Sequence, residues 1–417
     1  MKRLDVRFTR RTGEGLPVGT LAEDRGRVYF EYAPDYLATG LNLSPFRLPF
    51  EPGLFEHQDH RFGPLPGLFD DSLPDGWGLL LMDRHFHALG RNLPEISPLD
   101  RLSWLGTRTM GALTYHPPAD GEKVDASVFD LHELARQSQE ILSGSAVDVL
   151  PELLRAGGSP SGARPKVLVG FDPETGRVRS GEDDLPEGFE HWIVKFAAQT
   201  GGADAGAIEY AYSLMARDAG IDMPPTRLFR TAEGDRFFGT RRFDRGGSAN
   251  SPQDGNRRYH VHSFGGLIHS NFRIPSADYA DLLKATSLLT RNHQEVLRAF
   301  RRMVFNVLGH NRDDHVKNFA FLLDDATGDW TLTPAYDLLY TPGPGGEHTM
   351  TVAGEGRSPG RSHMLRLAEQ ADVSKREAAA IIDEVQAAVS RWTDHAAQAG
   401  VTGADARRIA ETLPGLG

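Results

Sequence analysis

Cysteine is absent from all 417 residues, which excludes disulfides, thiolate metal sites and cysteine nucleophiles. No apolar run approaches the ~20 residues of a membrane-spanning helix, and Met1-Lys2-Arg3-Leu4-Asp5 leads into a polar segment without a secretory apolar core. A cytoplasmic protein held together by its core is expected. No internal repeat is visible, which argues against a solenoid. Positive charge is not in excess: a formal net charge of -11 argues against a strong autonomous nucleic-acid binder, because phosphate affinity comes from clustered Lys and Arg. Arg227, Arg230, Arg236, Arg241, Arg242 and Arg245 fall close together and are read as solvated faces of strands.

What is present is an ordinary globular composition, 39% hydrophobic and 25% charged, long enough for two or three packed units. Residues 1–120 carry short strand-like runs such as Val28-Tyr29-Phe30-Glu31-Tyr32 and a helix starting near Trp77, with Asp75 as its N-cap. Residues 121–245 pattern as helix, Gly-rich loop and strands. Lys166–Gly170, His191–Phe196, Pro225–Arg230 and Arg236–Phe243 predict an antiparallel sheet, with a helix over Ile208–Ala219 that stops at Gly220. Residues 246–417 turn helical, with amphipathic candidates at Ser276–Leu289, Asn292–Leu308 and Lys375–Gln398. The Gly-rich stretches 246–259 and 342–347 predict a hinge and a mobile loop. A sheet lobe followed by a helical lobe suggests a cleft.

The chemistry concentrates in Gly309-His310-Asn311-Arg312-Asp313-Asp314-His315-Val316-Lys317-Asn318 and in Pro334-Ala335-Tyr336-Asp337. Asp-x-x-x-x-Asn with a downstream Asp is what a magnesium-dependent phosphotransferase needs. Asp313 would orient an attacking hydroxyl, and Asn318 and Asp337 would hold metal on nucleotide phosphates. Alone the spacing is weak, because Asp and Asn also cap loops. Three features accompany it: Lys195 inside the apolar strand Trp192-Ile193-Val194-Lys195-Phe196, Glu209 as its ion-pair candidate on the next helix, and the small-residue loop Gly157–Lys166. His310, Asp313, Asp314 and His315 also admit a metal-dependent phosphohydrolase, although His315 reads better as a prop for the loop. Lys317 either neutralises the transferred phosphate or faces solvent.

In this order the parts resemble the HipA-type serine/threonine kinases, toxins of type II toxin–antitoxin modules. The resemblance rests on Ser159-Pro160-Ser161-Gly162-Ala163-Arg164-Pro165-Lys166, Ile193–Phe196, Glu209 with Ala216 through Ile221, Arg242–Arg245, Phe305–Phe319 and Leu332–Asp337. The segment with Phe69, Leu73-Pro74 and Gly76 resembles the family's N-terminal subdomain. It implies an α+β, protein-kinase-like two-lobed fold with an added N-terminal subdomain. Asp313 would be the base, assisted by Lys317, while Asn318 and Asp337 would bind Mg2+. ATP would meet Lys166, Lys195, Glu209, Gly162, Ala163, His315 and the hinge from Arg241 to Phe243. Ser159, and less well Ser161, falls where members autophosphorylate and inactivate themselves. The resemblance further implies a HipB-like helix-turn-helix antitoxin that supplies DNA contact, and a translation component as substrate, an aminoacyl-tRNA synthetase of the glutamyl type. A small-molecule kinase and a catalytically quiet, antitoxin-binding corepressor stand as alternatives.

Overall fold

The computed structural model describes residues 1–118, 129–145, 149, 151–157, 162–198, 202, 204–246 and 255–413. Ser159, Ser161 and most of the polar connection at 246–259 lie outside the described residues. The chain forms two compact units, one from Met1–Gly202, Phe229–His262 and Leu323–Gly328, the other from Ala203–Leu228, Ser263–Leu322 and Asp329–Gly417.

The first unit opens with β1 (Lys2–Arg11), β2 (Glu14–Asp24), β3 (Arg27–Tyr32), β4 (Leu54–Glu56) and β5 (Leu113–His116), in the order β4-β3-β2-β1-β5. Every pairing is antiparallel. Leu4, Val6 and Phe8 of β1 alternate with more exposed Arg3, Asp5 and Arg7, the two-residue period of a strand with one face on a core.

A second antiparallel sheet contains β6 (Lys166–Phe171), β7 (Val178–Ser180), β8 (Glu190–Lys195), β9 (Thr226–Arg230) and β10 (Arg236–Arg241), ordered β7-β6-β8-β10-β9. The sequence pattern anticipates four of these strands and misses the short β7. One face, through Val167, Val169, Phe171, Trp192, Val194, Phe196, Phe229 and Phe237, forms a core with residues of the helices Gly76–Ala88, Leu131–Ser143 and Pro151–Gly157. Gly239 lies on that face because a Cβ there would come within 2.2 Å of the Phe229 ring.

In the second unit the helix His293–Leu308 buries Val296, Ala299, Phe300, Met303 and Val304, the stripe of a 3.6-residue period. The helix Ala205–Asp218 ends as expected: Gly220 adopts φ 72° and the Ile221 N–H returns to the Ala216 carbonyl at 2.9 Å. Two helical expectations need correction. The helix expected from Ser276 starts at Tyr279, where Asp278 and Asp281 form a capping box. The expected single helix over Lys375–Gln398 is two, Lys375–Val389 and Trp392–Ala399. The break places the Trp392 ring against Tyr212 at 5.3 Å and pairs Arg391 with Asp218, a tertiary gain that no local Gly or Pro announces. No helix among the described residues is long and apolar enough to cross a membrane.

Candidate active site

Lys166 opens β6 and Lys195 closes β8, and the register sets them opposite one another, with Phe238 of β10 opposite Lys195 on its other side. Directly opposed side chains share a sheet face. Both lysine side chains therefore leave the sheet on the face opposite the core cluster. Both lysines are buried, at 4% and 6% exposure, and the Lys195 Nζ sits 5.6 Å from the Phe238 ring centroid. Lysines at such depth favour anionic groups around them, because desolvated ammonium groups are costly. Thr240, two residues past Phe238 on the same face, carries a buried hydroxyl without a hydrogen-bond partner.

The loop leading into β6 is shaped by the helix Gly76–Ala88. Asp75 occupies the N-cap position of Gly76–Ala88 as expected, yet its side chain makes no cap hydrogen bond and instead accepts from the Gly162 N–H. The Trp77 N–H donates to the Gly162 carbonyl at 3.0 Å, and its indole N–H to the Lys166 carbonyl at 3.1 Å. Gly76 is required here: at φ 45° its Cβ position falls 2.6 Å from the Ala163 Cα. Arg164 donates to the Phe196 carbonyl at 2.7 Å, closing the loop onto the end of β8.

In the second unit the chain leaves the helix His293–Leu308 at Gly309, passes His310 at φ 53° and reaches a short 3-10 turn at Val316–Asn318. Asp313 is exposed at the tip, whereas Asp314 is fully buried. Asn318 donates through Nδ2 to the Asp313 carbonyl at 2.6 Å, so its amide oxygen is the end able to ligate a cation. His315 props the turn: its Nδ1 accepts from the Lys317 N–H at 3.2 Å, and its ring packs on Phe272. The Lys317 Nζ also lies over Phe272, at 5.1 Å, and the Tyr336 hydroxyl donates to the Lys317 carbonyl at 2.8 Å. Asp337 adopts φ 53°, and its carbonyl accepts from Asn311 Nδ2 at 3.4 Å. Glu209 is buried on the helix Ala205–Asp218 of this same unit.

The four-residue metal set weighed for a phosphohydrolase does not assemble. Asp314 is occupied by the Tyr279 hydroxyl at 2.7 Å, His348 Nδ1 at 2.8 Å and the Thr349 N–H at 2.8 Å. His310 stacks instead on Tyr340, at 5.4 Å. Among the described residues the only His, Cys, Asp and Glu grouping of ligand-like geometry is His132, Glu233 and Asp235, well away in sequence. Tyr279 and His348 lie far along the chain from Asp314, so no local spacing could have revealed this cluster.

Two further expectations change. Arg242 and Arg245 are not solvated: both are buried on Asp244, which accepts from Arg242 at 2.9 and 2.7 Å and from Arg245 at 2.7 Å. Arg241 does face solvent, against Glu190, and Phe243 is half-buried. The stretch Pro342–Glu347, expected to be a mobile loop, is described and held by Arg312, which donates to the Gly346 carbonyl at 2.5 Å.

Burial, followed by the charges of Arg312 and His348, pulls the His310 pKa down to about 4. A histidine that stays neutral in the folded state while the unfolded state protonates near ~6.5 costs stability as pH falls between those values. His310→Gln should therefore flatten the loss of stability from about pH 6.5 to about pH 4, measured as the urea midpoint across that range.

A model of the HipA-like C-terminal domain matches residues 158–392, more than half of the chain, and a model of the HipA N-terminal domain matches residues 12–116. The chain belongs to the HipA family. Among solved structures it is similar to HipA of Shewanella oneidensis MR-1, described as a toxin–antitoxin system complex of HipA, HipB and operator DNA. That match has a TM-score of 0.72 and 16% identity, and covers 98% of this chain and 94% of that one. The likeness shows a shared HipA fold, mixed α+β with antiparallel sheets. A Helicobacter pylori proinflammatory kinase, CtkA, also aligns, with a TM-score of 0.33 and 13% identity over 54% of this chain and 92% of that one. A search of curated proteins found no match.

Proposed function

We infer that this HipA-family chain is an ATP- and Mg2+-dependent protein serine/threonine kinase with a kinase-like fold, acting as the toxin of a module with a HipB-like antitoxin. The observation that carries the reading is the cross-strand pair of buried lysines, Lys166 and Lys195, on one sheet face. Two lysines opposed on one sheet face suit a polyphosphate, and the partnerless Thr240 hydroxyl on the same face fits a polar ligand there.

In this reading Lys195, with Glu209 as its partner, and Lys166 bind ATP phosphates under the backbone of Gly162 and Ala163, and the stretch from Arg241 to Phe243 meets the base. Asp313 accepts the proton of the attacking serine hydroxyl as it bonds to the γ-phosphorus, while the bond to the β-γ bridging oxygen breaks and ADP leaves. Lys317 lies beside the transferred group. Asn318 and Asp337 fit a hard cation through their amide and carboxylate oxygens. When bound, magnesium neutralises charge on the phosphates. Ser159, with Ser161 as the lesser choice, is proposed as the autophosphorylation site that shuts the enzyme down; a phosphate adds about −1.5 to −2 charge where nucleotide phosphates bind. The substrate is proposed to be a translation component of the glutamyl-tRNA synthetase type, modified in the cytoplasm, with growth arrest as the result. DNA contact is assigned to the antitoxin, in keeping with the chain's net charge of -11.

Incubating the purified chain with γ-labelled ATP, Mg2+ and a cell lysate tests the reading. Magnesium-dependent label on protein serine is expected; label confined to small molecules, or none, overturns it. Gly162→Ala should raise the KM for ATP about tenfold, because its Cβ would come within 2.3 Å of the Lys166 Nζ at φ 108°, a strain of about 1–3 kcal/mol.

A further inference from the structure

Resting on the kinase reading, we propose that Tyr279 is a positioning residue that couples the base loop to the metal-binding segment through a buried chain of hydrogen bonds. Its hydroxyl donates to the Asp314 carboxylate at 2.7 Å and accepts from Asn306 Nδ2 at 2.9 Å. The Asn306 Oδ1 accepts from Asn311 Nδ2 at 3.0 Å, and the same Nδ2 reaches the Asp337 carbonyl at 3.4 Å. From Asn311 to Asp314 each donor feeds the next acceptor, while Asn311 Nδ2 also donates the other way, to the Asp337 carbonyl. At one end the chain terminates on the residue bonded directly to Asp313, and at the other on the backbone of Asp337.

Burial is what makes this chain a positioning device. Tyr279 and Asp314 are fully buried, and Asn306 and Asn311 are each 1% exposed. Away from water a broken link leaves a neighbour unsatisfied, so the two ends cannot drift apart without cost. His348 Nδ1 and the Thr349 N–H also donate to the Asp314 carboxylate at 2.8 Å each, and the Met350 N–H at 3.5 Å; among the described residues Tyr279 is the donor to it that leads on to Asp337. Burial, reinforced by the Asp314 charge, holds the tyrosine pKa well above its ordinary value, so the hydroxyl remains a donor throughout the neutral range. The function assigned is geometric: the acceptor for the substrate proton and the carboxylate for the cation are kept at a fixed separation, and misplacement by about 1 Å costs on the order of a hundredfold in rate.

Tyr279→Phe keeps the ring and deletes the link. The expected result is a kcat lower by about ten- to a hundredfold, with the KM for ATP within about twofold and the Mg2+ concentration at half-maximal rate raised severalfold. A purely structural tyrosine would lower the melting temperature and the active fraction without moving the Mg2+ dependence of the folded enzyme. Asn311→Ser cuts the same chain at its other end and must give the same split, which keeps the test decisive if Tyr279→Phe does not fold. The double variant should be no slower than the worse single, since a chain is broken only once. An active wild type with unchanged kcat and Mg2+ dependence in the variants, or with losses that multiply in the double variant, overturns the proposal and leaves the kinase reading intact. An inactive wild type overturns the kinase reading itself, and the proposal with it.

Discussion

Asp313→Asn should lower the rate of phosphoryl transfer by roughly 10²–10⁴-fold, the usual loss when a positioned base is removed. The substitution is nearly isosteric at an exposed position, so folding and ATP affinity should be unchanged. Its neighbour makes the contrast. Asp314 is buried beneath three strong donors and has no access to a substrate, so of the two adjacent carboxylates only Asp313 can meet an incoming hydroxyl. The measurement is the initial rate with γ-labelled ATP and protein substrate beside nucleotide affinity from a binding isotherm. A variant that transfers phosphate at the wild-type rate removes Asp313 from the chemistry; one that loses ATP binding as well places it with the nucleotide instead.

Asp244→Ala should cost about 3–5 kcal/mol of stability, the largest structural effect expected in the chain, because it strands buried guanidinium groups. Arg242, Asp244 and Arg245 have side chains at most 4% exposed, and the Asp244 carboxylate also accepts from the Gly111 N–H at 2.7 Å. Burial alone would raise the Asp244 pKa; the charges of Arg242 and Arg245 outweigh it and hold the carboxyl well below the usual range. A depressed carboxylate contributes its full stabilisation above the unfolded pKa of ~3.9 and loses it as pH falls through the folded value. The gap between wild type and variant in urea unfolding should therefore be constant at neutral pH and shrink only below about pH 4. A gap under about 1 kcal/mol would mean that the network is replaceable by its neighbours.

The local patterns were legible because each is written within a few residues: the apolar, β-branched runs of β6 and β8, the helical stripe of His293–Leu308 and the stop at Gly220. The direct opposition of Lys166 and Lys195 was not, because register depends on which strands pair, and neither residue carries that information alone. Arg242 and Arg245 were misread as solvated because isolated arginines look alike until a carboxylate two residues away, Asp244, folds back between them. The Asp314 cluster joins segments around positions 279, 306, 314 and 348 and is purely tertiary. The broken helix at Ser390–Arg391 yields to the docking of Trp392 on Tyr212, a contact that outranks helix propensity.

The clamp between Asp75-Gly76-Trp77 and Gly162-Ala163 bears on how such chains change over generations. Its two sides fall in the separate stretches matched by the N-terminal and C-terminal domain models, residues 12–116 and 158–392. A recombination that replaced one stretch with that of a distant relative would mismatch a glycine on one side with the backbone it must admit on the other. The two stretches are thus bound to be inherited together, and chimaeras joined between them should survive only when both halves of the clamp come from the same parent.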